Sequence, residues 1–251
     1  MRKTTIISAL VIILSSCATS FYQLYKVESV FESVGENDQL IYEDENCKIS
    51  YQIWSQGGDI GFDFHNKTAE NIEVNLKKSF FIVNGNAYDY FKNRIYTSSK
   101  SSGIMATNNY LKTASINTGI SVSTEEDSII VIPSGAAKRI SEYSISNEVY
   151  RSCDLLRYPL GKKNQTIQFD SATSPLIFSN RIYYSKSDIS MEVRNEFFVS
   201  EITNYPSNEF FEYRQDEICG KKSLSSTKAF KYESYNSFYL MYLKTGSISQ
   251  Y

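Results

Sequence analysis

The residue types that most often do chemistry are scarce in this chain and widely separated. It contains a single histidine, His65, and four cysteines. A Ser-His-Asp triad would have to use His65, yet no G-x-S-x-G motif presents a nucleophilic serine. The zinc spacings H-E-x-x-H and C-x-x-C are missing from the sequence, as are the phosphate-binding and dinucleotide-binding glycine motifs. We therefore predict neither a metal site nor a cofactor, and we interpret His65 as an exposed residue at a strand end.

Carboxylates occur in three short clusters, which are Glu43–Glu45, Glu125–Asp127 and Asp216–Glu217. A glycosidase needs two carboxylates roughly 5–10 Å apart across the scissile bond, and sequence spacing neither places nor excludes such a pair. No cluster has the ligand pattern of a calcium-binding loop. Clusters in turn-like segments are usually solvated, so we do not predict an enzyme. A hydrolase with an unrecognised carboxylate pair is the third hypothesis for function.

Aromatic residues are abundant in the chain and could form a binding surface, with 20 Tyr, 15 Phe and one Trp. Rings on an exposed sheet face can stack on sugars while amides and carboxylates bind the sugar hydroxyls. Trp54 alternates onto the face opposite Ile49, Tyr51 and Ile53, and is therefore the candidate ligand-binding residue. The high β propensity of tyrosine is an alternative explanation for the aromatic content.

The first residues have the features of an export signal. The apolar run from Thr4 to Leu14 follows two basic residues and is shorter than the roughly 20 residues that a membrane span needs. Leu14-Ser15-Ser16-Cys17 resembles a bacterial lipobox, in which the cysteine is acylated and becomes the mature N-terminus. We predict a lipoprotein signal peptide over residues 1–16, attachment to the lipid bilayer through Cys17, and a membrane tether over residues 17–39. An ordinary secretory signal with a chance cysteine is the alternative.

Export would place the three remaining cysteines in an oxidising compartment, where one disulfide and one free thiol is the natural count. Cys153 and Cys219 share the C-terminal half and are the predicted pair, which leaves Cys47 free. Three reduced, buried cysteines that act as small apolar residues are the alternative.

The elements that must position these residues are strands, because apolar and polar residues alternate along most of the chain. Asn84-Gly85-Asn86 separates two such runs and is a strong hairpin signal, since both central residues tolerate positive φ. The pattern predicts an all-β fold, an antiparallel β-sandwich that is immunoglobulin-like in a loose sense. A short helix is expected at Asn147–Leu156, as one of few short helices.

Residues 40–251 are predicted to form a single domain, since no linker rich in proline or glycine divides them. Residues 97–128 are rich in Ser, Thr and Asn, and they predict a long, mobile polar loop. The net charge is −2 and no basic face is visible. Nucleic acid is therefore not an expected partner.

Several segments of the chain resemble a group of uncharacterised lipoproteins of the Bacteroidota, a group with no assigned activity. These segments are Cys17–Gln23, Ile53–Gly58, Ser79–Gly85, Ala87–Phe91, Ser174–Phe178, Phe197–Val199 and Asn204–Pro206. The resemblance implies a lipoprotein of the bacterial cell envelope. In that phylum, surface-exported lipoproteins carry acidic residues just after the cysteine. Here the first acidic residue is Glu28, which favours an outer-membrane protein that faces the periplasm.

Two tripeptides, Asp127-Ser128-Ile129 and Asp170-Ser171-Ala172, resemble the O-glycosylation pattern of exported proteins in the same phylum. Ser128 and Ser171 are therefore candidate acceptors. The leading hypothesis for function is a non-catalytic interaction or accessory module that binds an envelope protein through an exposed sheet face or through residues 97–128. The second is a glycan-binding lipoprotein that uses exposed aromatic residues such as Trp54.

Overall fold

The computed structural model describes residues 19–36, 38–108, 112–161 and 164–244. The chain is 56% strand and 2% helix, and every strand pair in the described part is antiparallel, which confirms the predicted all-β class. The strands are β1 (Ser20–Ser29), β2 (Leu40–Glu43), β3 (Cys47–Tyr51), β4 (Phe62–Asn66), β5 (Ile72–Asn75), β6 (Phe80–Val83), β7 (Asn86–Asp89), β8 (Ile95–Asn108), β9 (Lys112–Glu125), β10 (Ile129–Ile132), β11 (Ala137–Ile140), β12 (Thr166–Gln168), β13 (Ile177–Lys186), β14 (Ile189–Pro206), β15 (Phe211–Ile218), β16 (Lys221–Phe230) and β17 (Ser237–Leu243). A single helical turn, α1 (Ser207–Phe210), precedes β15.

Nine strands form one sheet, which curls into a half-barrel. Its main path runs β10-β5-β13-β14-β1-β17, with β6 and β7 attached beside β13 and with β12 beside β14. The turn between β6 and β7 is the one that the sequence predicts. Asn84 and Gly85 both have positive φ, at 46° and 82°, as a two-residue hairpin turn requires.

The membrane tether predicted over residues 17–39 is wrong for Ser20–Ser29, which form β1 inside the half-barrel sheet. This strand pairs with β14 on one side and β17 on the other. Phe21, Tyr25 and Val27 are buried in the core, while the alternate residues Tyr22 and Leu24 are half-buried on the other face. A strand covered on both faces carries apolar residues at consecutive positions, so it lacks the period of two that the prediction relied on. Cys17 itself lies outside the described residues.

A second sheet, in the order β11-β4-β3-β2, packs side chains against the first. Tyr51 contacts Phe197 with ring centroids 4.9 Å apart, and Phe64 contacts Tyr184 at 5.4 Å. Most polar groups in this core are paired, as burial demands, although Asn195 Oδ1 has no hydrogen-bond partner among the described residues. Asn195 Nδ2 donates to the Tyr51 hydroxyl at 2.7 Å, and burial raises the pKa of Tyr51 above its usual value.

Asn180 is a second buried polar residue that is hydrogen-bonded between the sheets. Its Oδ1 accepts a hydrogen bond of 2.7 Å from the Tyr90 hydroxyl, and its Nδ2 donates to the carbonyl oxygen of Ile60 at 2.9 Å. Because the two sheets share both apolar and polar contacts, one continuous core extends across them.

Residues 97–128 do not form the irregular loop that the sequence predicts. Most of them belong to β8 and β9, whose fourteen residue pairs run from Ile95–Glu125 to Asn108–Lys112. The abundance of serine and threonine indicated a loop. A two-stranded ribbon can have both faces exposed to solvent, however, and such a ribbon accommodates polar residues along its whole length. We call residues 95–108 and 112–125 the β8–β9 arm. A second isolated hairpin is formed by β15 and β16, and the sequence pattern does not predict it.

The helix predicted at Asn147–Leu156 is wrong, because the segment has no regular secondary structure. Its backbone is held by side chains of β1 instead. The Gln23 side chain accepts from the Tyr150 amide at 2.7 Å and donates to the Tyr150 carbonyl at 3.0 Å. These tertiary hydrogen bonds compete with the intrahelical pattern.

The predicted disulfide between Cys153 and Cys219 is also wrong, since both thiols are free and exposed. Cys153 lies in the irregular segment that follows β11, whereas Cys219 lies in the tight turn between β15 and β16, with φ at 51°. The sequence places both in one half of the chain but gives no information about their separation in space. Cys47 is buried, and burial together with the nearby Asp44 raises the pKa of its thiol to about 12. No helix among the described residues is long and apolar enough to cross a membrane.

Candidate interaction surfaces

Eight aromatic residues gather where β1, β14 and β17 turn their outer faces toward the β15–β16 hairpin. We call them the outer aromatic cluster, and its members are Tyr22, Trp54, Tyr205, Phe210, Phe211, Phe230, Tyr232 and Tyr239. The buried ring of Phe210 is its centre and stacks on Tyr22 with centroids 4.6 Å apart. The other seven rings are half-buried. The cluster therefore packs the second hairpin onto the sheet and still presents aromatic edges to solvent.

Trp54, the residue singled out by the sequence as a ligand platform, belongs to this cluster. Its ring lies 6.3 Å from Phe210 in a stacked arrangement, 5.3 Å from Phe230 and 5.2 Å from Tyr239. Trp54 is thus half-buried after β3, with Phe210 stacked against its ring, and does not stand on an open sheet face. The sequence does not reveal these neighbours, because Phe210 and Phe230 lie far from Trp54 along the chain.

An open cavity of about 490 Å³ adjoins the cluster at Phe211. Its other lining residues are polar, and they are Asn164, Asn208, Glu209, Glu212 and Lys231. Asn164 Nδ2 donates to Glu209 at 2.9 Å. Amides, carboxylates and an aromatic ring around one hollow are groups that can bind a sugar, which is the chemistry expected of Trp54.

The β8–β9 arm is the second notable surface. In the described residues, neither of its strands pairs with any other strand. At roughly 3.4 Å per residue, strands of fourteen residues extend for about 45 Å. Ile95, Tyr96 and Val122 near the base are 66%, 53% and 59% exposed. The arm therefore has two open edges and large apolar residues in solvent.

The base of the arm presents different side chains on its two faces. Directly opposed residues, and residues two apart along a strand, share a face of an antiparallel pair. The register therefore places Tyr96 and Val122 on one face. Thr97 and Ser123, whose hydroxyl oxygens lie 3.2 Å apart, are on the other face.

A charged hub fixes the base of the arm. The Arg94 guanidinium binds Glu126 at 2.8 Å and Glu142 at 2.7 Å, and these carboxylate side chains are only 8% and 18% exposed. The backbone amides of Lys92 and Arg94 also donate to Glu126, each at 3.0 Å. Burial alone would raise the pKa of Glu126, but the hydrogen bonds from Arg94 and these amides hold it below its usual value. Glu126 therefore stays ionised at neutral pH and, with Arg94, holds the base of the arm.

We expect Arg94→Ala to loosen the arm without unfolding the sheets. The substitution leaves two partly buried carboxylates without their cation, at a cost of about 1–3 kcal/mol in the free energy of unfolding. Hydrogen exchange should accelerate at amides near the arm base while amides of β13 and β14 stay protected. Arg194→Ala is the matched control, because its ion pair with Glu196 is more exposed and should contribute less than about 1 kcal/mol. Unchanged exchange in the arm would contradict the role of the hub.

The remaining sequence candidates lie apart from these surfaces. His65 is half-buried on the outer face of β4, opposite to Phe62 and Phe64. Ser128 is half-buried between β9 and β10, whereas Ser171 is exposed in a turn held by Asp170. In the described part of the chain, no group of three or more His, Cys, Asp or Glu residues is arranged to hold a metal ion.

The acidic clusters have structural partners. Asp44 accepts from the amides of Asn46 and Cys47 at 2.8 and 2.7 Å. Glu126 belongs to the arm hub described above. Asp216 accepts from the hydroxyls of Ser225 and Thr227 across the β15–β16 hairpin, at 2.8 and 2.5 Å, and these bonds lower its pKa. Each carboxylate thus stabilises a turn, a hairpin or the arm base.

The chain matches no family model, no curated protein and no solved structure. The fold defines an all-β protein whose β8–β9 arm pairs with neither of the larger sheets in the part of the chain that the structure describes.

Proposed function

We propose that this protein is a lipid-anchored, non-catalytic interaction module of the bacterial cell envelope, and that its β8–β9 arm binds an envelope protein. The observation that carries the proposal is the arm itself, a two-stranded ribbon with no partner strand among the described residues and with exposed apolar residues at its base. A two-stranded ribbon in water is marginally stable at best. Open edges and exposed apolar residues favour the addition of a strand or an apolar surface from another chain.

The finer features of the proposal concern the anchor and the fold. Acylated Cys17 would attach the protein to the outer membrane, with the folded domain facing the periplasm. The half-barrel sheet and the four-stranded sheet would form a loose β-sandwich, since Tyr51 and Phe64 of one sheet pack on Phe197 and Tyr184 of the other. In this arrangement the sandwich is the scaffold, and the arm reaches the partner.

A shortened arm provides the test of this function. Thr97 and Ser123 are paired in the hairpin, so an Asn-Gly turn can replace residues 98–122 without disturbing the hub. We expect the shortened protein to keep the melting temperature of the body but to lose its partner. In intact cells, the full-length protein with a photo-crosslinker in place of Val122 should form one discrete adduct with another protein. The native complex should no longer be detected when the arm is shortened.

The second hairpin supplies a matched control for this experiment. Gln215 pairs with Ser226, so the same Asn-Gly turn can replace residues 216–225. This variant, and a crosslinker in place of the 75% exposed Tyr213, should leave the native complex and its adduct pattern unaffected. A complex that persists after the arm is shortened would refute binding through the arm.

Glycan binding at the outer aromatic cluster is the second candidate function, favoured by the polar cavity beside Phe211. We expect Trp54→Ala to reduce affinity for a polysaccharide that binds there, because each lost ring contact removes apolar area. Tyr88→Ala, which changes a 44% exposed ring outside the cluster, is the control. Affinity is measured by gel retardation in the polysaccharide. If the Trp54→Ala and Tyr88→Ala variants have equal affinity, Trp54 is not part of the site. The same experiment with the arm-shortened protein separates this function from protein binding.

A further inference from the structure

A second, larger groove of about 850 Å³ opens between the irregular segment after β11 and the strand β17. Two of its lining residues, Arg151 and Arg157, are cationic, and Glu148 is the one acidic residue among them. Half-buried Tyr150 provides its aromatic surface, while Tyr25 and Tyr242 border it from the core. The other lining residues are Asn84, Ser146, Asn147, Val149, Pro175 and Leu176. The groove is therefore lined mainly by tyrosines, amides and cations.

The two arginines also line a smaller cavity of about 30 Å³ behind the groove, so both lie along the same hollow. In the part of the chain that the structure describes, neither takes part in an ion pair with a carboxylate. Arg157 lies over the ring of Tyr158 at 5.3 Å, and Lys244 lies over the same ring at 5.4 Å. Two positive charges thus lie over one ring beside the groove, in a protein whose net charge is −2.

The backbone that carries the arginines is fixed on both sides. Next to Arg151, the amide of Tyr150 donates to Gln23 at 2.7 Å and to the Tyr25 hydroxyl at 3.0 Å. At the other end, the Tyr242 hydroxyl donates to the carbonyl oxygen of Arg157 at 2.5 Å. The anchoring residue Gln23 is fully buried. Such fixation lowers the entropy lost on binding, because the charged groups are held near their bound positions in advance.

The wall formed by Ser146–Arg151 contains no strand. A peptide therefore has no ladder of backbone groups there to extend, and the tyrosines, amides and arginines are left as the recognition groups. Arginine has a planar fork that matches a carboxylate with two parallel hydrogen bonds. Tyrosine rings can lie against the apolar faces of sugars, and asparagine side chains can bind sugar hydroxyls.

We propose that this groove binds a carboxylate-bearing oligosaccharide, with Arg151 and Arg157 on the acid groups. The site is separate from the β8–β9 arm and from the outer aromatic cluster, so it adds a third surface to the protein. The half-buried Tyr150 ring forms the wall against which the sugar chain lies. Glu148 disfavours a ligand carboxylate at its own position, and so the acid groups lie toward the arginines.

The test is titration calorimetry of the detergent-solubilised mature protein with tetragalacturonate. We expect binding that weakens with added salt, and Arg151→Ala and Arg157→Ala should each lower the affinity about tenfold, the effect of one charged hydrogen bond. Arg151 is exposed, so its substitution leaves the fold intact even if that of half-buried Arg157 does not. Arg194→Ala, an exposed arginine on β14, is the control and should bind as the unchanged protein does.

Methyl-esterified tetragalacturonate separates charge recognition from sugar recognition, because it keeps the sugar chain and removes its charge. Weak or undetectable binding of the ester supports the proposal. Equal affinity for the ester, or affinity that both arginine variants retain, overturns it. Inorganic phosphate serves as a competitor for the groove. If phosphate binds as strongly per charge as the oligosaccharide does, the groove is a general anion site, and the assignment to a saccharide is overturned.

Discussion

Phe197→Ala is expected to destabilise the protein by about 3–5 kcal/mol, the usual cost of truncating a buried phenylalanine. Phe197 is fully buried on β14. It contacts Phe178 within its own sheet at 5.4 Å and Tyr51 of the four-stranded sheet at 4.9 Å. Removing its ring therefore leaves a cavity that borders side chains of both sheets. Chemical denaturation followed by tyrosine fluorescence and by circular dichroism measures the change.

The same experiment tests whether the two sheets form one cooperative unit, as the proposed sandwich requires. Both signals should report a single transition at the same denaturant concentration in the unchanged protein and in the variant. Tyr213→Ala, at a residue 75% exposed on the other hairpin, should change stability by less than about 0.5 kcal/mol. Two separate transitions, with the four-stranded sheet melting on its own, would contradict the shared core.

Replacing Cys17 should move the protein from the membrane to the soluble fraction. Acyl chains contribute ~0.8 kcal/mol per buried CH₂ group, so two or more chains on one cysteine hold a protein in the bilayer. The variant combines Cys17→Ala with a conventional cleavable secretory signal in place of residues 1–16, which avoids an uncleaved signal that would itself anchor the chain. Carbonate washing of membranes followed by immunodetection measures the distribution.

Cys219→Ala with the native signal is the control, since this exposed thiol lies outside the lipobox and should not affect membrane attachment. Mass spectrometry of the N-terminal peptide should find acyl chains on Cys17 in the unchanged protein. An unmodified Cys17, or a native protein in the soluble fraction, would contradict the lipoprotein assignment. Protease treatment of intact cells adds the orientation, because a domain that faces the periplasm is degraded only after the outer membrane is opened.

Trp54 and β1 illustrate which structural features a sequence pattern predicts and which it does not. Strands with one buried face, such as β3 and β4, were predictable because their alternation records that face directly. Trp54 was correctly placed outside the interior of the core, but its partners Phe210, Phe230 and Tyr239 come from distant parts of the chain. Contacts between residues that are far apart in sequence leave no periodic signal. The cluster could therefore be found only in three dimensions.

The β8–β9 arm shows that composition alone does not predict strand pairing. Its serines and threonines suggested a loop, although the pairs Ile104–Ile116 and Ala106–Ala114 were present in the sequence. Recognising them requires knowing which residues face each other, and that register depends on the turn and on the Arg94 hub at the base. The ribbon could therefore be recognised only once the pairing was fixed.

The sequence by itself determined the all-β class and the Asn84-Gly85 turn, and it alone supports the prediction of an acylated Cys17. These features depend on local chemistry, such as side-chain alternation, tolerance of positive φ and a short motif beside an apolar run. Tertiary structure decided that β1 lies within the sheet and that Cys153 and Cys219 stay apart. It also brought Arg151 and Arg157 to one groove. Those outcomes depend on which distant segments pack together, because the free energy of packing is shared among residues that the chain separates by a hundred positions or more.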